Sequence, residues 1–330
     1  MNRTELLERW LTERFGAGAY RYAPASEDAS FRRYFRVSAE GGTFIVMDAP
    51  PEREDCRPFV MVARLFADAG AHVPAILQEN LHDGFLLLSD LGSRTYLNAL
   101  DPASAPALYA DANAALVKIQ LASRPGVLPE YDRALLLREL RLFPDWYVAK
   151  HTGIELTPSQ VAVLDGAFEL LLANNLAQAR VFVHRDYHSR NLMVSDPNPG
   201  ILDFQDAVYG PITYDLVSLY RDAYVGWDEQ HQLDWVIRYW ERARKAGLPV
   251  ATDFSAFYRD FELMGAQRQI KVLGIFARLF HRDGKNGYLK DMPLVMSYLR
   301  NVCERYGDLH PLLDLLDQFE DRRPHAGYTF

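Results

Sequence analysis

Cysteine is nearly absent from this chain of 330 residues; Cys56 and Cys303 are the two present, far apart in sequence. That excludes a disulfide scaffold, matches no zinc-ligand spacing and suits a reducing compartment. Positive charge is also scarce. Lys and Arg number 36 against 44 Asp and Glu, a formal net charge of −8. Binding a phosphate backbone by counterion release needs a basic surface, so no nucleic-acid partner is expected. No apolar run reaches the roughly 18 residues of a membrane-spanning helix, so no membrane partner is expected either. The opening segment MNRTELLERWLTERFG carries charges throughout and lacks the apolar stretch of a secretory signal. A cytoplasmic protein is the expectation. Internal repeats, low-complexity tracts and a Gly-x-Gly-x-x-Gly string are absent as well.

What the chain does have is core-forming material, 49% hydrophobic residues, and a length that suggests two lobes. Leu6, Leu7, Trp10, Leu11 and Phe15 recur at helical spacing behind Thr4, a candidate cap. FRRYFRV (31–37) and TFIVMDA (43–49) read as two strands joined by SAEGG. The segment 54–70 reads as a helix ending at Gly70. AILQEN (75–80) and GFLLLSDLG (84–92) read as a second strand pair. Helical patterns follow at 104–122, 130–150 and 158–178. Short β-like runs at 179–184, 191–195 and 200–204 then interrupt them. Helices resume at 213–224, 229–246, 253–281 and 291–306. The expected fold class is α+β, with a small β-rich lobe over 1–92 and a larger, mostly α-helical lobe over 93–330.

The most polar stretch among the apolar runs is HRDYHSRN (184–191), followed by LMVSDPNPGILDFQDA. Two short strands around DPNPG form a hairpin that brings Asn191 and Asp203 together at its open end, beside the loop carrying Asp186. Asparagine and aspartate oxygens are hard ligands suited to Mg²⁺, which usually keeps one or two protein groups and completes its shell with phosphates and water. Asp186 is then left to orient an attacking hydroxyl and take its proton. That division of labour is the one expected of phosphoryl transfer.

HRDYHSRN…LDFQDA resembles the kinase-like phosphotransferase superfamily, in particular its aminoglycoside-phosphotransferase and choline-kinase branch. The resemblance spans nearly the whole chain. It implies a bilobal protein-kinase-like fold, Asp186 as the catalytic aspartate, Asn191 and Asp203 as Mg²⁺ ligands, His184 as a brace and Asp215 as a structural residue. It also implies ATP as the phosphoryl donor. Asp28, Ala29 and Ser30 stand at the phosphate-covering turn. Met47 stands where the branch carries a phosphate-pairing lysine, and Arg32 and Arg33 are the alternatives for that charge, since arginine binds phosphate bidentately. Ser89, Asp90 and Leu91 fall at the hinge that holds the adenine edge.

The strings FRRYFRV, VMDAPPE, LLLSDLG and QRQIKVLGIFARL resemble one group within the branch, the bacterial anomeric kinases of cell-wall amino sugars. That resemblance implies a small-molecule amino-sugar substrate, N-acetylmuramate or N-acetylglucosamine, phosphorylated at its anomeric hydroxyl. Other acceptors of the branch (choline, homoserine, aminoglycosides) and a catalytically silent nucleotide binder remain open alternatives. Arg268, Lys271, Arg278, His281 and Arg282 recur near multiples of a helical turn, a basic strip better suited to an anionic or neutral substrate than to a polycation. Arg278 and Arg282 are candidates for a substrate carboxylate, and Trp146 for stacking on a sugar face. The expected enzyme is a monomer.

Overall fold

The computed structural model describes residues 2–26 and 31–321. It divides into two compact units that are not contiguous in sequence. Unit 1 comprises 1–119 and 190–207; unit 2 comprises 120–189 and 208–330. The chain therefore leaves unit 2 immediately after Ser189 and returns to it at Val208.

Unit 1 is built on a five-stranded antiparallel sheet, in the order β1 (Tyr20–Ser26), β2 (Arg33–Ala39), β3 (Gly42–Asp48), β5 (Phe85–Ser89) and β4 (Ile76–Asn80). The β2–β3 register runs from Arg33 opposite Asp48 to Ala39 opposite Gly42, so the expected hairpin forms. β1 was not foreseen; its YRYAPAS sequence contains Pro24 and lies at the sheet edge, where a missing N–H is tolerated. Helix α1 (Arg3–Phe15) places Leu7, Trp10 and Leu11 against Val37, Val46, Phe85 and Leu87. Trp10 stacks on Phe85 with centroids 5.5 Å apart. The cap is Asn2 rather than Thr4. The Asn2 side chain accepts from the Glu5 amide, and the Glu5 carboxylate accepts from the Asn2 amide, a reciprocal pair that Thr4, already inside the helix, does not make.

Helix α2 (Arg57–Asp68) carries the inward Phe59 and Phe66. Both rings pack on Phe204, at 4.8 and 6.0 Å between centroids. This anchors the returning segment 190–207, whose strands β7 (Leu192–Met193) and β8 (Gly200–Ile201) pair antiparallel as expected. Bridges from His72 to Gly200 and from Thr95 to Met193 tie that hairpin further into unit 1.

Unit 2 is mostly helical: α4 (Arg133–Leu142), a π-helical continuation (Phe143–Thr152), α5 (Pro158–Ala177), α6 (Tyr214–Tyr220), α7 (Glu229–Ala246), α8 (Phe254–Asp283), α9 (Met292–Arg305) and α10 (His310–Asp321). Helix α3 (Ala105–Leu121) ends where unit 2 begins. β6 (Arg180–Val183) pairs with β9 (Val208–Pro211), a strand too short to show a period in the sequence. The 30-residue α8 runs through this unit with an almost continuous buried stretch from Phe261 to Gly274. It crosses the end of α4 so closely that a Cβ on Gly274 would lie 2.4 Å from the Leu142 carbonyl carbon. Only glycine permits that approach, and it seats the polar residues of α8 beside α4. The expected class, α+β with a β-rich first part and a mainly helical second part, is the class observed.

Candidate active site

Asp186 lies in unit 2, on the loop that leaves β6. The strand RVFV starts at the exposed Arg180, and its apolar Val181, Phe182 and Val183 are buried and carry the chain inward. At its end Arg185 adopts a left-handed backbone, φ 78°, which turns the next residue out of the strand direction. Asp215, in the first turn of α6, holds this turn: it accepts from the amides of His184 at 2.7 Å and Arg185 at 3.0 Å. His184, fully buried, accepts at Nδ1 from the Asp186 amide at 3.2 Å. Asp222 accepts from the Ser189 amide at 2.9 Å and closes the far side of the loop. The bracing expected of His184 and Asp215 is thus present in the geometry.

A second support comes from α4. Glu139, buried, accepts from the Arg185 guanidinium, from Lys271 Nζ at 3.0 Å and from the Tyr131 hydroxyl. Lys271 also donates to the Tyr214 hydroxyl at 2.8 Å. Burial alone would raise the Glu139 pKa, but Lys271 and Arg185 beside it hold it below the ordinary carboxylate range. For Asp186, burial again pushes upward, and Lys271, His188, Arg185 and Arg268 outweigh it, so the carboxylate stays ionised. Asp215 goes the other way: burial, with Asp186 adding to it, pushes it up to about 7 against the two amide bonds it accepts. One ionised and one reluctant carboxylate thus stand at opposite ends of the same turn.

Asn191 and Asp203 lie in unit 1, flanking the β7–β8 hairpin. The Leu202 amide donates to the Asn191 carbonyl at 2.9 Å, which brings the two side chains together, with Asn191 Nδ2 to Asp203 Oδ2 at 3.3 Å. Asp203 has φ 60°, a left-handed conformation that aspartate tolerates and that sets its side chain apart from the strand. Gln205 donates to Asp203 Oδ1 at 2.8 Å and reaches Asp206 at 3.3 Å. The donor set, a carboxylate and an amide oxygen, fits a hard divalent cation. Among the described residues there is no group of three or more His, Cys, Asp or Glu able to hold a metal.

The other predicted residues of unit 1 differ in their surroundings. Met47 is fully buried in the sheet. Asp48, next to it and also fully buried, is bound by Arg33 and by Arg3 Nε at 2.7 Å, so Arg33 is committed to a carboxylate. Arg32 pairs with Glu54 at 3.5 Å and feels the charges of Asp203 and Asp206. Ser89 is locked to Ala75, its amide to the carbonyl and its hydroxyl to the amide. Asp90 is clamped by Arg36 at 2.7 and 3.0 Å. Leu91 is buried. Ser30, with Asp28 and Ala29, lies outside the described residues.

On α8 the basic strip resolves into unlike parts. Lys271 is consumed by the Glu139 network. Arg282 is exposed and pairs with Asp283 at 2.8 Å. Arg278 is partly buried and has no carboxylate partner among the described residues; burial and the neighbouring Arg282 lower its pKa. Trp146, on the π-helical segment, is partly exposed, whereas Tyr147 is buried and stacked on Phe143 at 5.0 Å. Glu139 and Asp222 escaped the sequence reading. The signal for Glu139 was there: it sits with Leu136 and Leu140 on the inward face of α4, a charge in an apolar stripe.

The phosphotransferase enzyme family model matches residues 21–253. The chain is 54% identical over 293 residues to the N-acetylmuramate/N-acetylglucosamine kinase of Pseudomonas aeruginosa, covering 89% of this chain and 87% of that one. It is 47% identical to the enzyme of the same name from Neisseria meningitidis serogroup B, over the full length of both. Among solved structures, choline kinase LicA from Streptococcus pneumoniae superposes with a TM-score of 0.64 at 13% identity, covering 90% of this chain and 99% of LicA. With a family model matching residues 21–253 and relatives of 54% and 47% identity, the chain belongs to the phosphotransferase enzyme family.

Proposed function

We propose that this protein is an ATP-dependent sugar kinase that phosphorylates the anomeric hydroxyl of N-acetylmuramate and N-acetylglucosamine to the 1-phosphate. The observation that carries the reading is the 54% and 47% identity, over nearly whole chains, to kinases named for those two sugars. The chemistry of the loop agrees. Asp186, held ionised and aimed by three flanking hydrogen-bonding residues, orients the acceptor hydroxyl and takes its proton as the oxygen attacks. Asn191 and Asp203 are the residues that would hold Mg²⁺, which supplies charge neutralisation at the phosphates when bound.

Residues 1–92 would carry the nucleotide and 93–330 catalysis and the acceptor, with the monomer as the working unit in the cytoplasm. Arg32 is the better placed of the two candidate arginines to meet phosphate, because Arg33 is already tied to Asp48. Asp90 and Leu91 make no backbone hydrogen bond to described residues, which supports a role in reading the adenine edge; Ser89 has given its amide to Ala75. Arg278 is the candidate for the lactyl carboxylate of N-acetylmuramate, ahead of Arg282. Trp146 would stack on the sugar.

The test is a coupled ATP-turnover assay with Mg²⁺ and, in parallel, N-acetylmuramate, N-acetylglucosamine, choline, homoserine and kanamycin, with the product position read by phosphorus NMR. A sugar 1-phosphate is expected. Turnover with choline, homoserine or kanamycin alone, or none with any acceptor, rejects the reading. Arg278→Ala should raise KM for N-acetylmuramate roughly tenfold and leave N-acetylglucosamine nearly unchanged; equal effects on both sugars reject the carboxylate assignment.

A further inference from the structure

Four side chains lower the pKa of Asp186, and three of them have contacts of their own. Arg185 and Lys271 are bound to Glu139, and His188 packs edge-on against Tyr224. The fourth, Arg268, is different. It is 4% exposed, lies one turn before Lys271 on α8, and forms no ion pair or hydrogen bond with any described residue. Its charge is felt by Asp186 and by Asp215, yet it pairs with neither. A guanidinium that is 4% exposed and held by no ion pair among the described residues is available to an anionic ligand, which its planar fork binds bidentately.

We propose that Arg268 is a catalytic residue that binds the phosphoryl group in transfer. This rests on the kinase reading above. In that reaction the acceptor oxygen forms a bond to phosphorus, the bond from phosphorus to the leaving nucleoside diphosphate breaks, and the hydroxyl proton passes to Asp186. The anion that must arrive within reach of Asp186 is therefore the phosphoryl group itself. The planar guanidinium fork matches two of its non-bridging oxygens. The position on α8 agrees with this. Arg268, Lys271, Ile275 and Arg278 follow the 3,4,3 spacing of a single helix face, and Arg268 and Arg278 stand about 15 Å apart along the axis. One cation is thus placed at the reacting end of an acceptor and another at its far end. The Glu139 pair between them spends Lys271 on holding the loop, which leaves Arg268 as the charge available for transfer.

The experiment compares wild type, Arg268→Lys and Arg268→Ala in two assays. In steady state, Arg268→Ala should lower kcat roughly a hundredfold or more with the sugar KM changed by less than about threefold, and Arg268→Lys should recover part of that loss. In calorimetry, wild type should bind N-acetylglucosamine 1-phosphate more tightly than N-acetylglucosamine, and Arg268→Ala should lose that preference while keeping its affinity for the unphosphorylated sugar. An unchanged kcat, a raised KM alone, or a retained preference for the phosphorylated sugar overturns the proposal. Should Arg268→Ala not fold, Arg268→Lys is read by the same two criteria. Wild-type protein that turns over no amino sugar overturns the underlying reading before any variant is made, so the two failures are distinguishable.

Discussion

The loop of Asp186 and the hairpin of Asn191 and Asp203 are five residues apart in sequence and are held by different means. The Asp186 loop is bonded from His184, from Asp215, from Asp222 and, through Arg185, from Glu139 on a distant helix. The Asn191–Asp203 pair is joined by a 3.3 Å contact and steadied by Gln205. The difference follows from the tasks proposed for them. A group that takes a proton must already be aligned, because misplacement costs rate directly. Oxygens that serve a cation gain much of their final geometry from the cation and its phosphates, so the chain need only bring them near one another.

Substitutions at four positions break or sharpen this contrast. Asp186→Asn should have the largest effect, a kcat loss of about 10³-fold, with nucleotide affinity and melting temperature little changed; near-wild-type turnover would show the proton is taken elsewhere. Glu139→Ala comes next. It strands Lys271 and Arg185 in a buried site and should cost about 3–5 kcal/mol in denaturant unfolding. Its pH signature is distinctive. Glu139 is held below its ordinary range, so its stabilisation is present above the unfolded carboxylate pKa and is lost as pH falls through the folded value. Lys271 is raised, since Glu139 beside it outweighs its burial, so its share is present below the unfolded lysine pKa and is lost as pH rises through its folded value. Asp215 contributes oppositely to Glu139: its stabilisation is complete below the ordinary carboxylate pKa and is lost as pH rises through about 7. Glu139→Gln should therefore flatten the acid limb of the stability profile and leave the decline toward pH 7 in place; an unaltered acid limb would count against the pairing.

Gly274→Ala should cost about 1–3 kcal/mol, because its new methyl meets the Leu142 backbone, and the displaced α8 should lower kcat through the Asp186 loop. Unfolding and single-turnover rates measured together would separate the two effects. The smallest change is expected from Gln205→Ala. It removes one hydrogen bond to Asp203, worth about 1 kcal/mol, and should shift the Mg²⁺ concentration for half-maximal rate by a few-fold. A loss as large as that of Glu139→Ala would mean the hairpin is braced as tightly as the loop.

Much of this was legible in the residues themselves. Period-two apolar runs marked β2 and β3, and β4 and β5. Helical spacing marked α2, α5, α7 and the longest helix, α8. HRDYHSRN and LDF pointed to phosphoryl-transfer chemistry because few other uses demand those side chains in that order between apolar strands. Local pattern could not show that the two halves of the motif belong to different compact units, since the division falls at Ser189 without any composition shift. β9 was missed because VYGP is too short to show a period, and its strand character comes from pairing with β6.

The side chains proposed to carry the chemistry were legible in the sequence: an aspartate at 186, hard oxygens at 191 and 203 suited to a cation, and arginines along one face of a long helix. Which cations are still available was decided by tertiary structure. Among the described residues Arg33 is spent on Asp48, Lys271 on Glu139 and Arg282 on Asp283, while Arg268 and Arg278 form no ion pair. Pairing depends on which carboxylate folds within about 4 Å of a given cation, and those partners are contributed from up to 132 positions away in the chain, where no local spacing reaches.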